Sequence, residues 1–377
     1  MSSTYKTLTV GIVGGGQLGR MLVQAGIDFN VKFAILDPDP QAPCHQLGQF
    51  TVGKLTDFDA VVNFAAGCDV VTIEIENVNT QALKALQQQG KKVFPQPDVI
   101  ELIQDKRQQK QFYQKHRIPT ADFVLVNNRQ EVLQHAEFLP AVNKLGKEGY
   151  DGRGVQVIKT GNDLSKAFDA PGLLEKFVPF EKEIAVIVAR NEQGEICSYP
   201  PVEMVFHPEK NLVEYLFAPA RLDKKVEQEA DQVARKVIES LAMVGLLAVE
   251  MFVTPEGKVL VNEIAPRPHN SGHHTIEASV TSQYEQHLRA ILNLPFGDTT
   301  TTKSAMVNIL GAEGFEGKAT YEGMDQVLKL NGVHVHLYGK FITKPYRKMG
   351  HATIVDSDEE SLKKKAKFVK DHLKVIA

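Results

Sequence analysis

Val261–Thr275 reads VNEIAPRPHNSGHHT, and the two apolar runs leading into it organise the chain. Leu246–Thr254 (LLAVEMFVT) and Lys258–Ile264 (KVLVNEI) are separated by Pro255, Glu256 and Gly257, the pattern of a β-hairpin. A turn centred between Glu256 and Gly257 sets Glu250 opposite Glu263. Opposed carboxylates on one sheet face repel each other unless a cation lies between them. Mg²⁺ takes one or two carboxylates and completes its shell with water and substrate phosphates, which makes Glu250 and Glu263 candidate metal ligands. Arg267, His269, Asn270, His273 and His274 follow, between prolines that keep the chain extended and a Ser-Gly pair that lets it turn. By themselves such residues fit a solvated loop. Leaving a metal-binding strand, they fit a basic loop that holds an anion against the metal.

The rest of the composition narrows the setting. The chain has 377 residues, 43% of them hydrophobic, enough for two or three domains with a sizeable core. A formal charge of -3 leaves no basic excess for a nucleic-acid backbone. Cys44, Cys68 and Cys197 are odd in number and widely spaced, which fits small buried hydrophobes in a reducing compartment. MSSTYKTLTVGIVGGG reaches its glycines before an apolar signal segment forms, and no run of 18 apolar residues occurs. A cytoplasmic protein without a membrane partner is expected.

At the N-terminus, Leu8–Val13 reads as a strand, Gly14–Gly19 as a tight turn and Arg20–Phe29 as a helix; Val31–Leu36 is a second strand ending at Asp37. Gly14, Gly16 and Gly19 match G-x-G-x-x-G, with Asp37 near the place of a ribose-binding acid. Close approach of the backbone to an anion at a helix N-terminus suits NAD or a phosphorylated sugar alike. Val61–Ala66 and Val70–Ile75 continue the alternation, and Glu74 and Glu76 share a face if Ile75 is extended. Thr80–Gln89 is helical, a short strand follows at Val93 and Phe94, and Pro95-Gln96-Pro97 marks a boundary.

Asp98–His116 reads as one polar helix carrying Lys106. Strands are expected at Phe123–Val126 and Leu139–Lys144, with a helix Arg129–Glu137 between them. Gly149-Tyr150-Asp151-Gly152-Arg153-Gly154 then leads into the strand Val155–Lys159. A glycine-rich loop between strands, beside Lys144, suits a flap over a triphosphate, although no G-K-[ST] opens a helix. Leu173–Val178 is a strand containing Glu175, and Glu183 opens the next strand at Ile184–Ala189. Asp223–Leu241 and Gln283–Asn293 are amphipathic helices. Pro295–Lys303 reads as a linker. Beyond it, short strands alternate with a lysine-rich terminal helix, and Lys340, Lys344, Arg347 and Lys348 cluster at a turn able to bind a phosphate.

GIVGGGQLGRML, IEIENV, QDKRQQK, GYDGRG, NEIAPRPHNSGHHT and KPYRKMGH stand in an order and spacing that resembles the N5-carboxyaminoimidazole ribonucleotide synthetases, ATP-grasp enzymes of purine biosynthesis. The likeness covers essentially the whole chain. It implies an α/β and α+β fold in three parts: an N-terminal Rossmann-like parallel sheet (1–97), a two-subdomain ATP-grasp unit (98–298, lid about 120–178) and a small β-rich C-terminal domain (299–377). It implies phosphorylation of bicarbonate by ATP to carboxyphosphate, which the amine of 5-aminoimidazole ribonucleotide captures, with Mg²⁺ (or Mn²⁺) and a homodimeric assembly. Carried over by motif, Lys106 and Lys144 hold phosphates, Glu175 and Val178 the adenine edge, and Glu183 the ribose. Glu250 and Glu263 bind the metal, and Arg267, His269 and Asn270 position bicarbonate. Gln17, Glu76, Tyr150 and Asp151 surround the aminoimidazole nucleotide, whose phosphate reaches Lys340 and Arg347; His269 or Asp151 takes the amine proton. Ala265 stands where most ATP-grasp proteins have the asparagine of E-x-N, although the resembled family commonly has alanine there; Asn143 before Lys144, Glu148 in the flap and Met204 after Glu203 depart from the usual pattern. An NAD-binding oxidoreductase or sensor, and another ATP-grasp ligase such as the formate-dependent glycinamide ribonucleotide transformylase, are the competing readings.

Overall fold

The structure, a computed structural model, describes residues 6–147, 154–206 and 213–377. Glu148, Tyr150 and Asp151 lie outside the described residues. In the N-terminal part the buried run Thr9–Val13 pairs in parallel with Lys32–Asp37 on one side and Val70–Ile73 on the other; Gln49–Val52 and Lys92–Val93 complete a five-stranded sheet. The chain leaves Thr9–Val13 towards one side and returns on the other, so the loops at Gly14 and Glu74 border one crevice at the strand carboxyl ends. Val61–Ala66 falls almost wholly within a helix, Phe58–Ala65, started by Asp57, whose carboxylate accepts from Ala60 N at 2.8 Å. Gln49–Val52 gives little sequence signal because it is a short, mostly exposed edge.

Asp98–His116 is two helices, not one: Pro97–Ile103 and Lys106–His116. The break is at Asp105, whose carboxylate caps the second helix by accepting from Arg107 N at 3.0 Å and also takes both Nε and Nη2 of Arg107. A side chain that competes for backbone donors favours such a cap over a helix interior. Lys106 thereby becomes the first residue of its helix.

Among the described residues, Phe123–Val126, Gly172–Lys176, Ala141–Leu145 and Val155–Ile158 form, in that order, a four-stranded antiparallel sheet. The main sheet has nine strands among the described residues. From its edge at Val259–Ala265 it runs through Gly245–Val253, Lys182–Arg190, Val202–Phe206 and Val213–Ala218, with Ile196–Ser198 alongside Lys182–Arg190. It then continues without interruption into Ser304–Leu310, Lys348–Val355 and Val333–Leu337. The C-terminal strands therefore share the sheet of the central part. Val202–Phe206 (VEMVF) and Val213–Ala218 (VEYLFA), which make that join, are short β-branched and aromatic runs that the reading by motif passed over.

Helix Lys224–Ser240 lays Ala230, Val233, Ala234, Val237 and Ile238 on Val186, Val188, Leu247 and Val249. Truncating one of these large apolar residues to alanine costs about 2–5 kcal/mol. Helix Gln283–Ile291 joins the parts, its Leu288 packing with Leu22 and Ile35 of the N-terminal unit. Cys44 and Cys68 are buried as small hydrophobes, whereas Cys197 is only half-buried. Among the described residues no helix is long and apolar enough to cross a membrane.

Candidate active site

Near its turn the hairpin pairs Met251 with Val261, Phe252 with Leu260 and Val253 with Val259. On that register Glu250 would face Asn262. A β-bulge at Asn262 takes up one extra residue, and beyond it Glu250 faces Glu263 and Val249 faces Ile264. The two carboxylates are opposed as the hairpin argument requires, but the bulge sets them there, not a turn centred between Glu256 and Gly257. The turn itself closes through Gly257 N donating to Thr254 O at 2.8 Å, with Gly257 at φ +77°. The bulged Asn262 reaches the antiparallel sheet of residues 123–176, its Oδ1 accepting from Lys144 Nζ at 2.9 Å.

Electrostatics around the pair are unbalanced. Burial, then the neighbouring Glu263, raises the Glu250 carboxyl above its ordinary range; burial and Glu263 push Glu183 up to about 7. Lys106, with Nζ 2.7 Å from Glu263 Oε2, holds Glu263 below the usual range. Among the described residues no group of three or more His, Cys, Asp or Glu side chains suffices to hold a metal. An all-oxygen pair in which Glu263 stays ionised and helps push Glu250 towards its protonated form fits a hard divalent cation that draws its remaining ligands from water and phosphate.

Three lysines ring this end of the cleft. Lys144 Nζ lies 2.6 Å from Glu175 Oε2, and Lys110 Nζ lies 2.5 Å from Glu175 Oε1. Lys110, which sequence reasoning passed over, stands one helical turn after Lys106 and is itself buried. Burial lowers it to about 8 against the pull of Glu175. Glu175 is buried with its carboxylate committed to the two lysines, and Val178 follows the end of its strand half-buried. Asn143 points away from them: its amide donates to Leu173 O at 3.1 Å and accepts from Phe168 N at 2.8 Å. That departure thus serves packing inside the small sheet. Met204, the departure after Glu203, is buried among Ala185, Leu216 and Met306.

The loop after the hairpin turns towards the crevice of the N-terminal sheet. Arg267 Nε lies 2.9 Å from Glu76 Oε1, and His269 Nε2 lies 3.6 Å from Glu250 Oε1. Gln283, another residue without a sequence signal, fixes the His269 backbone from both sides: His269 N donates to its Oε1 at 2.9 Å, and its Nε2 donates to His269 O at 2.7 Å. Asn270 pairs with Asn308. His273 and His274 do not belong to the basic surface. Both are buried, and desolvation holds both imidazoles below their ordinary pKa, His274 at about 4. They brace the loop through Tyr284 OH (3.0 Å from His273 Nδ1) and Ser271 O (3.1 Å from His274 Nδ1).

On the facing side, the strand expected over Val70–Ile75 ends at Ile73, and Ile75 is exposed, so Glu74 and Glu76 part company. Glu74 turns into the glycine loop, its Oε1 accepting from Leu18 N at 3.2 Å at the start of helix Gln17–Ile27. A Cβ on Gly16 would stand 2.3 Å from that oxygen, so any larger residue here must push the Glu74 carboxylate aside. Burial pushes Glu74 up to about 7, with Arg267 and Lys340 opposing. Asp37 is also spent internally, accepting from Gly15 N at 2.7 Å and Asp39 N at 2.8 Å. A dinucleotide would meet one carboxylate where its pyrophosphate belongs and another already bonded to the loop. Gln17 opens the helix. Lys340 donates to Lys348 O at 2.7 Å within reach of Glu74's field, and Arg347 Nη1 donates to Ile342 O at 2.5 Å inside its own turn.

A small antiparallel sheet and a main antiparallel sheet that close on a lysine-lined cleft, with opposed glutamates on the main-sheet hairpin, define an ATP-grasp ligase. An ATP-grasp domain model matches residues 111–284, a ribonucleotide synthetase preATP-grasp domain model 7–104, and a phosphoribosylaminoimidazole carboxylase C-terminal domain model 304–365. The N5-carboxyaminoimidazole ribonucleotide synthase of Bacillus subtilis is 37% identical over 94% of this chain and 93% of its own length. The crystal structure of N5-carboxyaminoimidazole ribonucleotide synthetase from Thermotoga maritima superposes with a TM-score of 0.90 at 43% identity, over 98% of this chain and all of that one. An Aspergillus clavatus N5-carboxyaminoimidazole synthase solved with ADP and 5-aminoimidazole ribonucleotide gives 0.88 at 33%, over 98% and 99%. The phosphoribosylaminoimidazole carboxylase of Ogataea methanolica is 40% identical over 96% of this chain and 69% of its own length, and the chain spans about two thirds of other fungal and plant carboxylases. The chain belongs to the N5-carboxyaminoimidazole ribonucleotide synthetase family. It is an ATP-grasp ligase of purine biosynthesis.

Proposed function

We propose that this cleft carboxylates 5-aminoimidazole ribonucleotide with bicarbonate at the expense of ATP, with the labour divided as follows. Lys106 and Lys144, now resting on Glu263 and Glu175, exchange those carboxylates for ATP phosphates. Glu175 and Val178 stand at the adenine edge, the Glu175 carboxylate also holding Lys110 and Lys144, and Glu183 accepts from the ribose. Glu250 and Glu263 hold Mg²⁺ or Mn²⁺, which when bound offsets phosphate charge. A bicarbonate oxygen displaces ADP from the γ-phosphorus; the amine nitrogen then attacks the carboxyl carbon, phosphate leaves and the nitrogen gives up a proton. Arg267, His269 and Asn270 orient the bicarbonate-derived group, whose mixed anhydride requires exclusion of water during turnover. His269 and Asp151 are the two candidates for the departing proton. Gln17, Glu76 and Tyr150 flank the aminoimidazole, and Lys340 and Arg347 take its phosphate.

The observation that carries this reading is the Arg267–Glu76 contact, which brings the loop of the metal hairpin to the crevice of the N-terminal sheet. A ligand that spans both would meet the basic loop on one side and the glycine loop on the other. A cytoplasmic homodimer belongs to the same proposal. The test is ADP release with Mg²⁺ and bicarbonate, with and without 5-aminoimidazole ribonucleotide. Strong stimulation by the nucleotide, lost in Arg267→Ala, is expected. Turnover indifferent to the nucleotide would refute the substrate assignment, and full activity in His269→Gln would remove that residue as the proton acceptor.

A further inference from the structure

Three side chains on neighbouring strands of the C-terminal part stand in one row. Asn308 faces His351 in register, and His351 faces His336, so all three project from the same sheet face. Each meets one residue of the segment after the metal hairpin. Asn308 exchanges two hydrogen bonds with Asn270, at 2.8 and 3.1 Å. The His351 ring packs 4.7 Å from that of His273, and His336 Nε2 lies 2.5 Å from Glu277 Oε1. Positions 270, 273 and 277 are spaced by three and four residues, one face of the helical turns Asn270–Gly272 and Thr275–Ala278. Row and helical face therefore match, residue for residue.

Asn308 has a more specific consequence than bracing. Its Nδ2 also donates to Val213 O at 3.0 Å, and a carbonyl accepts only from the amide's nitrogen, so the Asn308 amide cannot be reversed. With Asn308 fixed, its Oδ1 must receive the Asn270 Nδ2 and its Nδ2 must face the Asn270 Oδ1. The pairing uses one N–H and one lone pair of Asn270 and leaves the other N–H and lone pair available.

We propose that Asn308 is a positioning residue for the carboxylation: through Asn270 it fixes which amide edge the anion loop presents to the bicarbonate-derived group. The inference rests on the assignment of Asn270 to that group. A misplaced donor at this point weakens alignment of the reacting carboxyl with the amine but not the hold on ATP, which depends on lysines elsewhere in the cleft.

The experiment is a double-mutant cycle on steady-state ADP release, using Asn270→Ala, Asn308→Ala and the pair in the full-length protein. Asn308→Ala is expected to lower kcat on the order of tenfold to a hundredfold, with KM for ATP within about twofold of wild type. The double variant should be no slower than the slower single variant, as two members of one unit are. Losses that multiply, or a wild-type kcat in Asn308→Ala, overturn the proposal. Asn308→Asp keeps the shape but replaces the Val213 donor with an acceptor. It covers the case in which alanine does not fold, and must show the same loss; wild-type turnover in it overturns the proposal as well. Stimulation of the wild type by 5-aminoimidazole ribonucleotide is measured in parallel. Its absence refutes the substrate reading, while the cycle on bicarbonate-dependent ADP release still decides the coupling of Asn308 to Asn270.

Discussion

His287 makes stability fall in mild acid, by an amount the structure allows to be worked out. Its imidazole is fully buried between the N-terminal sheet and the central part. Leu246 N donates to Nδ1 at 3.2 Å, so the ring proton sits on Nε2, which faces Thr72 Oγ1 at 3.0 Å. Burial pulls its pKa from 6.5 down to about 3. Between those two values the unfolded chain binds a proton that the folded chain refuses, so stability is fully present above 6.5 and declines as pH falls towards 3. At about pH 5 the unfolded ring is favoured by roughly 1.5 pK units, which removes about 2 kcal/mol relative to about pH 7.5. Gln at this position keeps a donor and an acceptor but does not titrate. Urea unfolding followed by circular dichroism at both pH values, for wild type and His287→Gln, isolates the contribution. The variant should start less stable and lose about 2 kcal/mol less on acidification. Parallel pH dependences in the two proteins would refute the reasoning.

Other perturbations separate further parts of the site. Glu250→Gln removes a buried carboxylate opposed to Glu263, so in the absence of divalent cations it should raise the midpoint of thermal unfolding by the equivalent of about 1–2 kcal/mol. The same change should depress ADP release; a lower midpoint would show that the pair is not mutually repelling. Gly16→Ala pushes the Glu74 carboxylate off the helix start and should cost about 1–3 kcal/mol, with stimulation by 5-aminoimidazole ribonucleotide falling more than bicarbonate-dependent ATP turnover. Equal losses in the two assays would place the glycine loop outside nucleotide binding. Lys110→Met leaves half of the buried Glu175 charge without a partner and should destabilise by about 3 kcal/mol or more, while raising KM for ATP as Lys144 is drawn to Glu175; chemical denaturation and ATP titration check the two effects.

Much of this was readable from local pattern. The hairpin itself and the glycine turn depend on residues a few positions apart, where turn chemistry and period decide the outcome; the opposition of Glu250 and Glu263 is predicted from the wrong turn centre, and the bulge restores it. The readings that needed correction turn on side-chain partners that composition and periodicity do not display, one of them two residues away and the others distant. Asp98–His116 has an unbroken helical composition, yet Asp105 ends one helix and starts another because its carboxylate finds Arg107. The bulge at Asn262 has no local mark at all, and its amide is drawn out by Lys144 on another sheet. Gln283 and Asn308 hold the loop from 14 and 38 residues away; each reads on its own as an unremarkable polar residue in a helix or strand. His273 and His274 read as part of the basic anion-holding loop by proximity to Arg267, and burial makes them supports.

The unbroken main sheet bears on how the chain can be cut. A fragment that stopped in the threonine run Thr299–Thr302 would remove Ser304–Leu310 from beside Val213–Ala218. The backbone donors and acceptors of Tyr215, Leu216 and Phe217 would then line an open apolar edge, a surface prone to recruit strands from other copies. Limited proteolysis at the linker should accordingly leave two pieces that stay together until denatured. Exchange of the last part between relatives would transplant a third of a sheet, not a detachable module.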